Sequence, residues 1–120
     1  MNILIVDDSK AMRMIVSRHL RQAGFGDATI TEAGNGVEAL TAIKAACPDL
    51  VLCDWNMPEM NGHELKVALN EAGIDVKFGF VTSEGTPEMR KMADDAGALF
   101  LISKPFTVET FEEVLGGLVK

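Results

Sequence analysis

One short segment constrains the fold of this chain more than any other. Residues 50–53 read Leu-Val-Leu-Cys, four apolar residues in a row, and Asp54 follows them directly. A continuous apolar run of this length, with no polar alternation, is typical of a strand buried on both faces in the middle of a parallel sheet. Open sheets of this kind hold their ligands outside the carboxyl ends of the strands. Asp54 is therefore the first candidate for a functional residue.

The rest of the chain alternates between apolar runs and amphipathic segments. Further strands are predicted at residues 3–6, 28–32, 76–81 and 98–102, and helices at 9–23, 35–47, 62–72, 86–96 and 107–118. Five strands alternating with five helices predict an α/β fold, a parallel sheet covered by helices on both faces through right-handed crossovers. No repeat, linker or low-complexity segment interrupts the pattern, so we expect one domain over residues 1–120.

The helical spacing also predicts which side chains face the interior. Apolar residues at three- and four-residue intervals place Ile15, Val37 and Met92 on inner faces, whereas Met14 lies off the inner stripe and is a candidate for a partner surface. Cys47 and Cys53 lack a CxxC spacing, so we expect them reduced in the interior rather than in a disulfide or a metal site.

Composition excludes several classes of function. The chain has 11 Lys and Arg against 18 Asp and Glu, a net charge of −7 without a basic run, so direct nucleic-acid binding is not expected. No apolar run approaches the ~20 residues that a membrane span needs. Residues 1–3 lead directly into a strand rather than a signal peptide, so we expect a cytoplasmic protein without a membrane partner.

Polar side chains follow four of the five predicted strands. They are Asp7 and Asp8, Asp54, Thr82 and Lys104. Because the carboxyl ends of parallel strands meet at one edge, we expect these groups to lie close together. Two unit charges ~4 Å apart repel by about 4 kcal/mol at an effective dielectric of about 20, so three carboxylates together need a cation. Oxygen donors without a His or Cys cluster favour a hard ion, and Mg²⁺ fits best.

Such a site suits phosphoryl chemistry. A carboxylate beside Mg²⁺ can attack a phosphoryl group, and an ammonium and a hydroxyl can stabilise the charge on the transferred group. Each residue also has a simpler interpretation: Asp8 with Ser9 as a helix cap, Thr82 as a strand end, and Lys104 as a solvated loop charge. Their joint occurrence at four strand ends favours the site.

Four stretches together resemble the receiver domain of two-component response regulators. They are residues 6–9 (Val-Asp-Asp-Ser), 54–58 (Asp-Trp-Asn-Met-Pro) with Gly62, 81–83 (Val-Thr-Ser) and 104–106 (Lys-Pro-Phe). The resemblance covers the whole chain and implies a flavodoxin-like, doubly wound sheet with strand order 2-1-3-4-5. The 54–58 stretch is most similar to that of chemotaxis regulators.

The resemblance also implies a role for each site residue. It makes Asp54 the phosphoacceptor, Thr82 the switch hydroxyl and Lys104 the contact to the phosphoryl group. The Mg²⁺ ligands it implies are Asp7, Asp8, Asp54 and the backbone carbonyl of Asn56.

Three more features of the resemblance bear on phosphate lifetime and signal output. Asn56 and Glu84 match the rim positions that tune phosphate lifetime, and a cis peptide is implied between Lys104 and Pro105. The family usually has Tyr or Phe three residues before the lysine, a position that Leu101 occupies here. Phe100 precedes it, and strand alternation predicts that the two side chains point to opposite faces.

The implied function is a phosphorylation-controlled switch rather than an enzyme that turns over a separate substrate. A histidine kinase or a small acyl phosphate is expected to donate the phosphoryl group to Asp54. The neighbouring Trp55 is expected to be either an exposed partner contact or a ring that covers the pocket. Since no effector domain follows Lys120, we expect a protein partner on the face of the fourth helix, fifth strand and fifth helix. We expect that partner to be a flagellar motor component, a kinase or a phosphotransfer protein.

Three other functions remain open from the sequence. One is a phosphate shuttle or sink in a non-chemotactic relay, and another is a binding module that is no longer phosphorylated. The third is an Mg²⁺-dependent phosphatase of the haloacid dehalogenase type. Those enzymes carry a second Asp two residues after the nucleophile, where this chain has Asn56, and the chain has no insertion large enough to enclose a substrate.

Overall fold

A computed structural model of the protein describes residues 1–104 and 106–119, and its centre is a five-stranded parallel sheet. The strands are β1 (Asn2–Val6), β2 (Thr29–Ala33), β3 (Leu50–Cys53), β4 (Lys77–Thr82) and β5 (Phe100–Ser103). Their order is β2-β1-β3-β4-β5, as the family resemblance implied. The expected cis peptide between Lys104 and Pro105 lies outside the described residues.

Five helices begin where a side chain satisfies a free backbone N–H of the first turn. They are α1 (Lys10–Leu20), α2 (Gly36–Ala45), α3 (Gly62–Glu71), α4 (Pro87–Asp95) and α5 (Val108–Val119). The side chains of Ser9, Asn35, Asn61, Thr86 and Thr107 accept these hydrogen bonds. In the part of the chain that is described, no helix is long and apolar enough to cross a membrane.

The two central strands, β1 and β3, separate two apolar layers. In β3, Val51 and Cys53 pack toward α2, α3 and α4, whereas Leu50 and Leu52 pack toward α1 and α5. All four side chains are at most 1% exposed. Burial on both faces explains why this strand reads as a continuous apolar run rather than an alternating one.

Several predicted inner positions are exposed instead. Ile15 is 38%, Val37 45% and Met92 43% exposed, and Cys47 also lies at the surface. The inner stripes are narrower than the pattern indicated: Val16 is buried beside Ile15, and one step along a helix turns a side chain by about 100°. Cys47 follows the end of α2 and therefore lies outside the packed face.

The first helix also ends earlier than predicted. It was expected to continue to residue 23, but α1 ends at Leu20 and one wider turn follows over Arg21–Phe25. Gly24 adopts a φ of 102° within that turn, a conformation that side chains disfavour. Phe25 is thereby buried against the α1 and α5 layer.

Strands β4 and β5 meet at an unusually close approach. Gly79 is the register partner of Phe100, and the Phe100 ring occupies the space in which a Cβ on residue 79 would lie. Phe100 belongs to the α1 and α5 layer, whereas Leu101 packs on the opposite layer. The expectation that these two side chains point to opposite faces is confirmed.

Candidate functional site

Three carboxylates converge at the carboxyl ends of β1 and β3. One oxygen from each of Asp7, Asp8 and Asp54 lies within 4.8 Å of the other two. Asp7 is 4% and Asp54 9% exposed, while Asp8 faces solvent. Asp54 N donates to Val6 O at 2.8 Å, a bond that extends the β1–β3 pairing up to the site. The local strand pairing therefore forces the charges together.

Lys104 lies between the two buried carboxylates. Its Nζ is 3.3 Å from Oδ2 of Asp7 and 3.9 Å from Oδ2 of Asp54. The Lys104 side chain is 16% exposed, so its interpretation as a solvated loop charge is wrong. Lys104 N donates to Thr82 O at 2.7 Å, which continues the β4–β5 ladder one residue beyond Ser103 and fixes the start of the lysine side chain.

The pKa of Asp54 reports the balance of charges at this edge. Burial raises it from an ordinary value of 3.8 to about 6. The Lys104 ammonium lowers the pKa, Asp7 raises it, and the backbone N–H groups of Trp55 and Asn56 lower it by donating to the carboxylate. The single ammonium of Lys104 does not neutralise three carboxylates, so the site keeps a negative charge. The possible metal ligands in the cluster are all oxygen atoms. This donor set fits a hard divalent cation.

Thr82 reaches the same edge from β4 and is fully buried. Its Oγ1 accepts a hydrogen bond from Glu84 N at 3.2 Å, and a hydroxyl that accepts a bond can still donate its proton. Among the described residues no hydrogen bond joins Thr82 to Asp54. Asn56 is exposed. Its backbone N–H donates to the Asp54 carboxylate, and this contact does not test whether its carbonyl binds a metal. The signalling role of Thr82 and the metal-ligand role of Asn56 stay predictions.

Asp7 is held by two contacts that the sequence pattern did not predict. Ser9 N donates to Asp7 Oδ1 at 2.9 Å, and Arg13 Nη1 donates to the Asp7 carbonyl at 2.6 Å. Arg13 also pairs with Glu32 of β2 at 2.8 Å. Ser9 Oγ caps α1, so the cap does not depend on Asp8. In the sequence, only the position of Arg13, one helical turn after the cap Ser9, indicated that its side chain could reach the site.

Trp55 is buried among aromatic side chains rather than exposed to a partner. It is 7% exposed, stacks on His63 with centroids 5.4 Å apart, and packs on Phe80 at 4.6 Å. The interpretation as an exposed contact residue is wrong. Gly62 N donates to Trp55 O at 2.9 Å, and a Cβ on residue 62 would collide with the Asp54 carbonyl. A glycine is therefore needed for α3 to begin against the Asp54 backbone.

A sequence model of the response regulator receiver domain matches residues 3–115. The chain belongs to this family. It is 38% identical over 118 residues to the chemotaxis protein CheY1 of Helicobacter pylori strain J99, covering 96% of this chain and 94% of that protein. It is 39% identical over 117 residues to the chemotaxis protein CheY-3 of Vibrio cholerae, covering 96% and 88%.

A solved structure shows the same receiver fold. The Vibrio cholerae chemotaxis protein CheY4, crystallised at low pH, superposes with a TM-score of 0.86 at 32% identity and covers 98% of both chains. Receiver domains are signalling proteins, and they use Mg²⁺ at an acidic pocket. The cluster of Asp7, Asp8 and Asp54 is the corresponding pocket of this receiver domain.

Proposed function

We propose that this receiver domain is a switch controlled by reversible phosphorylation of Asp54. The observation that carries the proposal is the position of Lys104 Nζ between the buried carboxylates of Asp7 and Asp54, with Asp8 completing the acidic cluster. A structural salt bridge needs one carboxylate. Three clustered carboxylates, of which two lie near one ammonium, suit a site that receives a cation and a phosphoryl group.

The phosphoryl donor is a histidine kinase, or a small acyl phosphate in its absence. A carboxylate oxygen of Asp54 attacks the phosphorus atom of the phosphohistidine, the P–O bond forms, and the P–N bond breaks with its electron pair passing to the imidazole. The N–H groups of Trp55 and Asn56 hold the Asp54 carboxylate in place, and Lys104 stabilises the charge on the transferred group.

Mg²⁺ would be held by Asp7, Asp8, Asp54 and the Asn56 carbonyl, and when bound it supplies charge neutralisation for the phosphoryl oxygens. Without a cation, the three carboxylates would repel the incoming phosphoryl group.

The phosphoryl group changes the site by adding about −1.5 to −2 charges. The hydroxyl of Thr82 can donate its proton to an oxygen of the phosphoryl group, and this draws the end of β4 toward Asp54. The face formed by α4, β5 and α5 then takes a second arrangement, and a partner that prefers it reads the signal.

Chemotaxis is the proposed pathway, because CheY1 and CheY-3 are named as chemotaxis proteins. The proposed output partner is a flagellar motor component or a phosphotransfer protein, in a cytoplasm where Cys47 and Cys53 stay unpaired. A net charge of −7 argues against direct binding to nucleic acid.

A second candidate is a phosphate shuttle or sink in another relay. Leu101 favours it, because this chain lacks an aromatic side chain at the position where the family usually has one. A sink would exchange phosphate with a phosphotransfer protein but would bind no partner more tightly when phosphorylated. Capture of partners by phosphorylated and unphosphorylated protein distinguishes the two candidates.

The test of the proposed function is phosphorylation by acetyl phosphate with Mg²⁺, followed by intact mass spectrometry. We expect one acid-labile and hydroxylamine-labile phosphoryl group per chain, absent in Asp54→Asn and present in the matched variant Asp27→Asn, which removes an exposed carboxylate. Continuous phosphate release from many small esters, lost in Asp54→Asn, would instead show a phosphatase and overturn the proposal.

A further inference from the structure

Arg90 of α4 joins three segments of the chain. Its Nε donates to Gly85 O at 3.3 Å, its Nη1 to Leu101 O at 3.4 Å, and its Nη2 to Ser103 Oγ at 3.2 Å. Gly85 belongs to the loop of residues 83–86 between β4 and α4, and the other two acceptors belong to β5. A single guanidinium therefore connects this loop, α4 and the last strand of the sheet.

The loop is also pressed directly against β5. A Cβ on residue 85 would collide with Ser103 Oγ and would lie 3.3 Å from Arg90 Nη2. Gly85 thus lets the loop backbone reach both the serine hydroxyl and the guanidinium. Any displacement of the loop at Gly85 has to change its contact with Ser103, its contact with Arg90, or both.

This junction lies directly beside the candidate site. Ser103 is the register partner of Thr82, and Lys104 N donates to Thr82 O. Glu84, the neighbour of Gly85, donates its N–H to the Thr82 hydroxyl at 3.2 Å. Two hydrogen bonds, joined by the covalent backbone of residues 84 and 85, therefore connect the Thr82 side chain to Arg90, and a further bond connects Arg90 to the β5 backbone.

We propose that Arg90 is a positioning residue that transmits the position of loop 83–86 to β5 and α4. This inference rests on the proposed function, in which Thr82 moves when Asp54 is phosphorylated. A guanidinium is planar and holds its donors in a rigid fork, so a shift at the Nε acceptor reorients the two donors that face Leu101 and Ser103. A lysine ammonium also has three donors, but they share one nitrogen on a flexible stem and lack the planar fork of the guanidinium.

The test compares backbone amide NMR shifts before and after beryllofluoride and Mg²⁺, which mimic a phosphoryl group on a carboxylate. In the wild-type protein we expect changes at Thr82 and Lys104 and also at Leu101. In Arg90→Met the changes at Thr82 and Lys104 persist, whereas the change at Leu101 falls at least twofold. Lys91→Met removes the same charge from the next, exposed position of α4 and retains the wild-type pattern.

Two results overturn the inference alone: a full response of Leu101 in Arg90→Met, or an equal loss in Lys91→Met. Absence of any response at Thr82 and Lys104 in the wild-type protein overturns the proposed function as well. If Arg90→Met does not unfold cooperatively, Ser103→Ala carries the test, since it removes one acceptor of the guanidinium. We then expect a partial loss at Leu101, and an undiminished response refutes the transmission.

Discussion

Removal of the Asp54 charge should make the metal-free protein more stable. Asn has almost the same shape as Asp, and its side-chain oxygen can still accept from the N–H groups of Trp55 and Asn56. Lys104 keeps its partner Asp7 at 3.3 Å. Asp54→Asn therefore removes an ionised group that burial and Asp7 disfavour, without leaving the ammonium unpaired.

The magnitude follows from the pKa of Asp54, which folding raises from 3.8 to about 6. At about 1.4 kcal/mol for each tenfold change in proton affinity, ionisation of this carboxyl destabilises the folded state by about 3 kcal/mol. The pocket opens to solvent through the exposed Asp8, and screening reduces the figure. We expect Asp54→Asn to raise the free energy of unfolding by about 1–2 kcal/mol at pH 7.5.

The pH dependence gives the sign of the effect. Since the folded-state pKa is the higher one, the penalty is absent below about pH 4, where both states are protonated, and complete above about pH 6. Urea unfolding in EDTA at pH 4, 5, 6 and 7.5 should show the difference between variant and wild type growing from near zero to its plateau. Asp27→Asn, at an exposed turn, serves as the control.

An equal difference in unfolding free energy between variant and wild type at pH 4 and pH 7.5 would refute the electrostatic reasoning, because a change in packing alone does not titrate.

Mg²⁺ provides a second check. At ten times its Kd, a ligand of the folded state raises the free energy of unfolding by about 1.4 kcal/mol. We expect Mg²⁺ to stabilise the wild type more than Asp54→Asn, which lacks one carboxylate of the site. The gap between the two proteins should therefore narrow as Mg²⁺ is added.

Three further substitutions test the contacts around the site. Lys104→Met should raise the pKa of Asp54 further, since the ammonium lowers it; a carboxyl-carbon NMR titration measures this, and an unchanged pKa would contradict it. Gly62→Ala should cost about 1–3 kcal/mol through its collision with the Asp54 carbonyl, whereas Gly117→Ala, in open space on α5, should be neutral or stabilising by up to about 1 kcal/mol. Equal urea midpoints for the two alanine variants would show that the collision is relieved. Arg13→Met should cost about 1–2 kcal/mol through its bond to the Asp7 carbonyl; wild-type stability would mean that this bond contributes nothing.

The strands were predictable because a strand buried in a parallel sheet appears in the sequence as a short run of adjacent apolar residues. Residues 50–53 are apolar without interruption, and the structure buries all of them. Strand order was not predictable from periodicity, since pairing joins residues far apart along the chain, such as Ile3 with Leu50. The correct order came from the resemblance of the site motifs to a family.

Helix faces and supporting contacts were less predictable. Ile15 and Met92 fit a helical spacing but lie one residue beside the buried Val16 and Ala93, and a spacing rule does not resolve the width of a buried stripe. The strand-end position alone marked Asp54 and Lys104. Arg90 gave no such signal, because its acceptors include two backbone carbonyls whose positions depend on the folded loop and strand.

The close approach of Gly79 and Phe100 also limits the order in which mutations can accumulate in this sheet. A side chain gained at residue 79 collides with the ring, whereas replacement of the half-buried ring by a smaller apolar side chain, such as Leu, removes contacts but causes no collision. Because small domains are stable by only about 5–15 kcal/mol, the less costly first step is the accessible one. Descendants of this sequence should therefore lose the aromatic ring at residue 100 before they gain a side chain at residue 79, and chains with both should be rare.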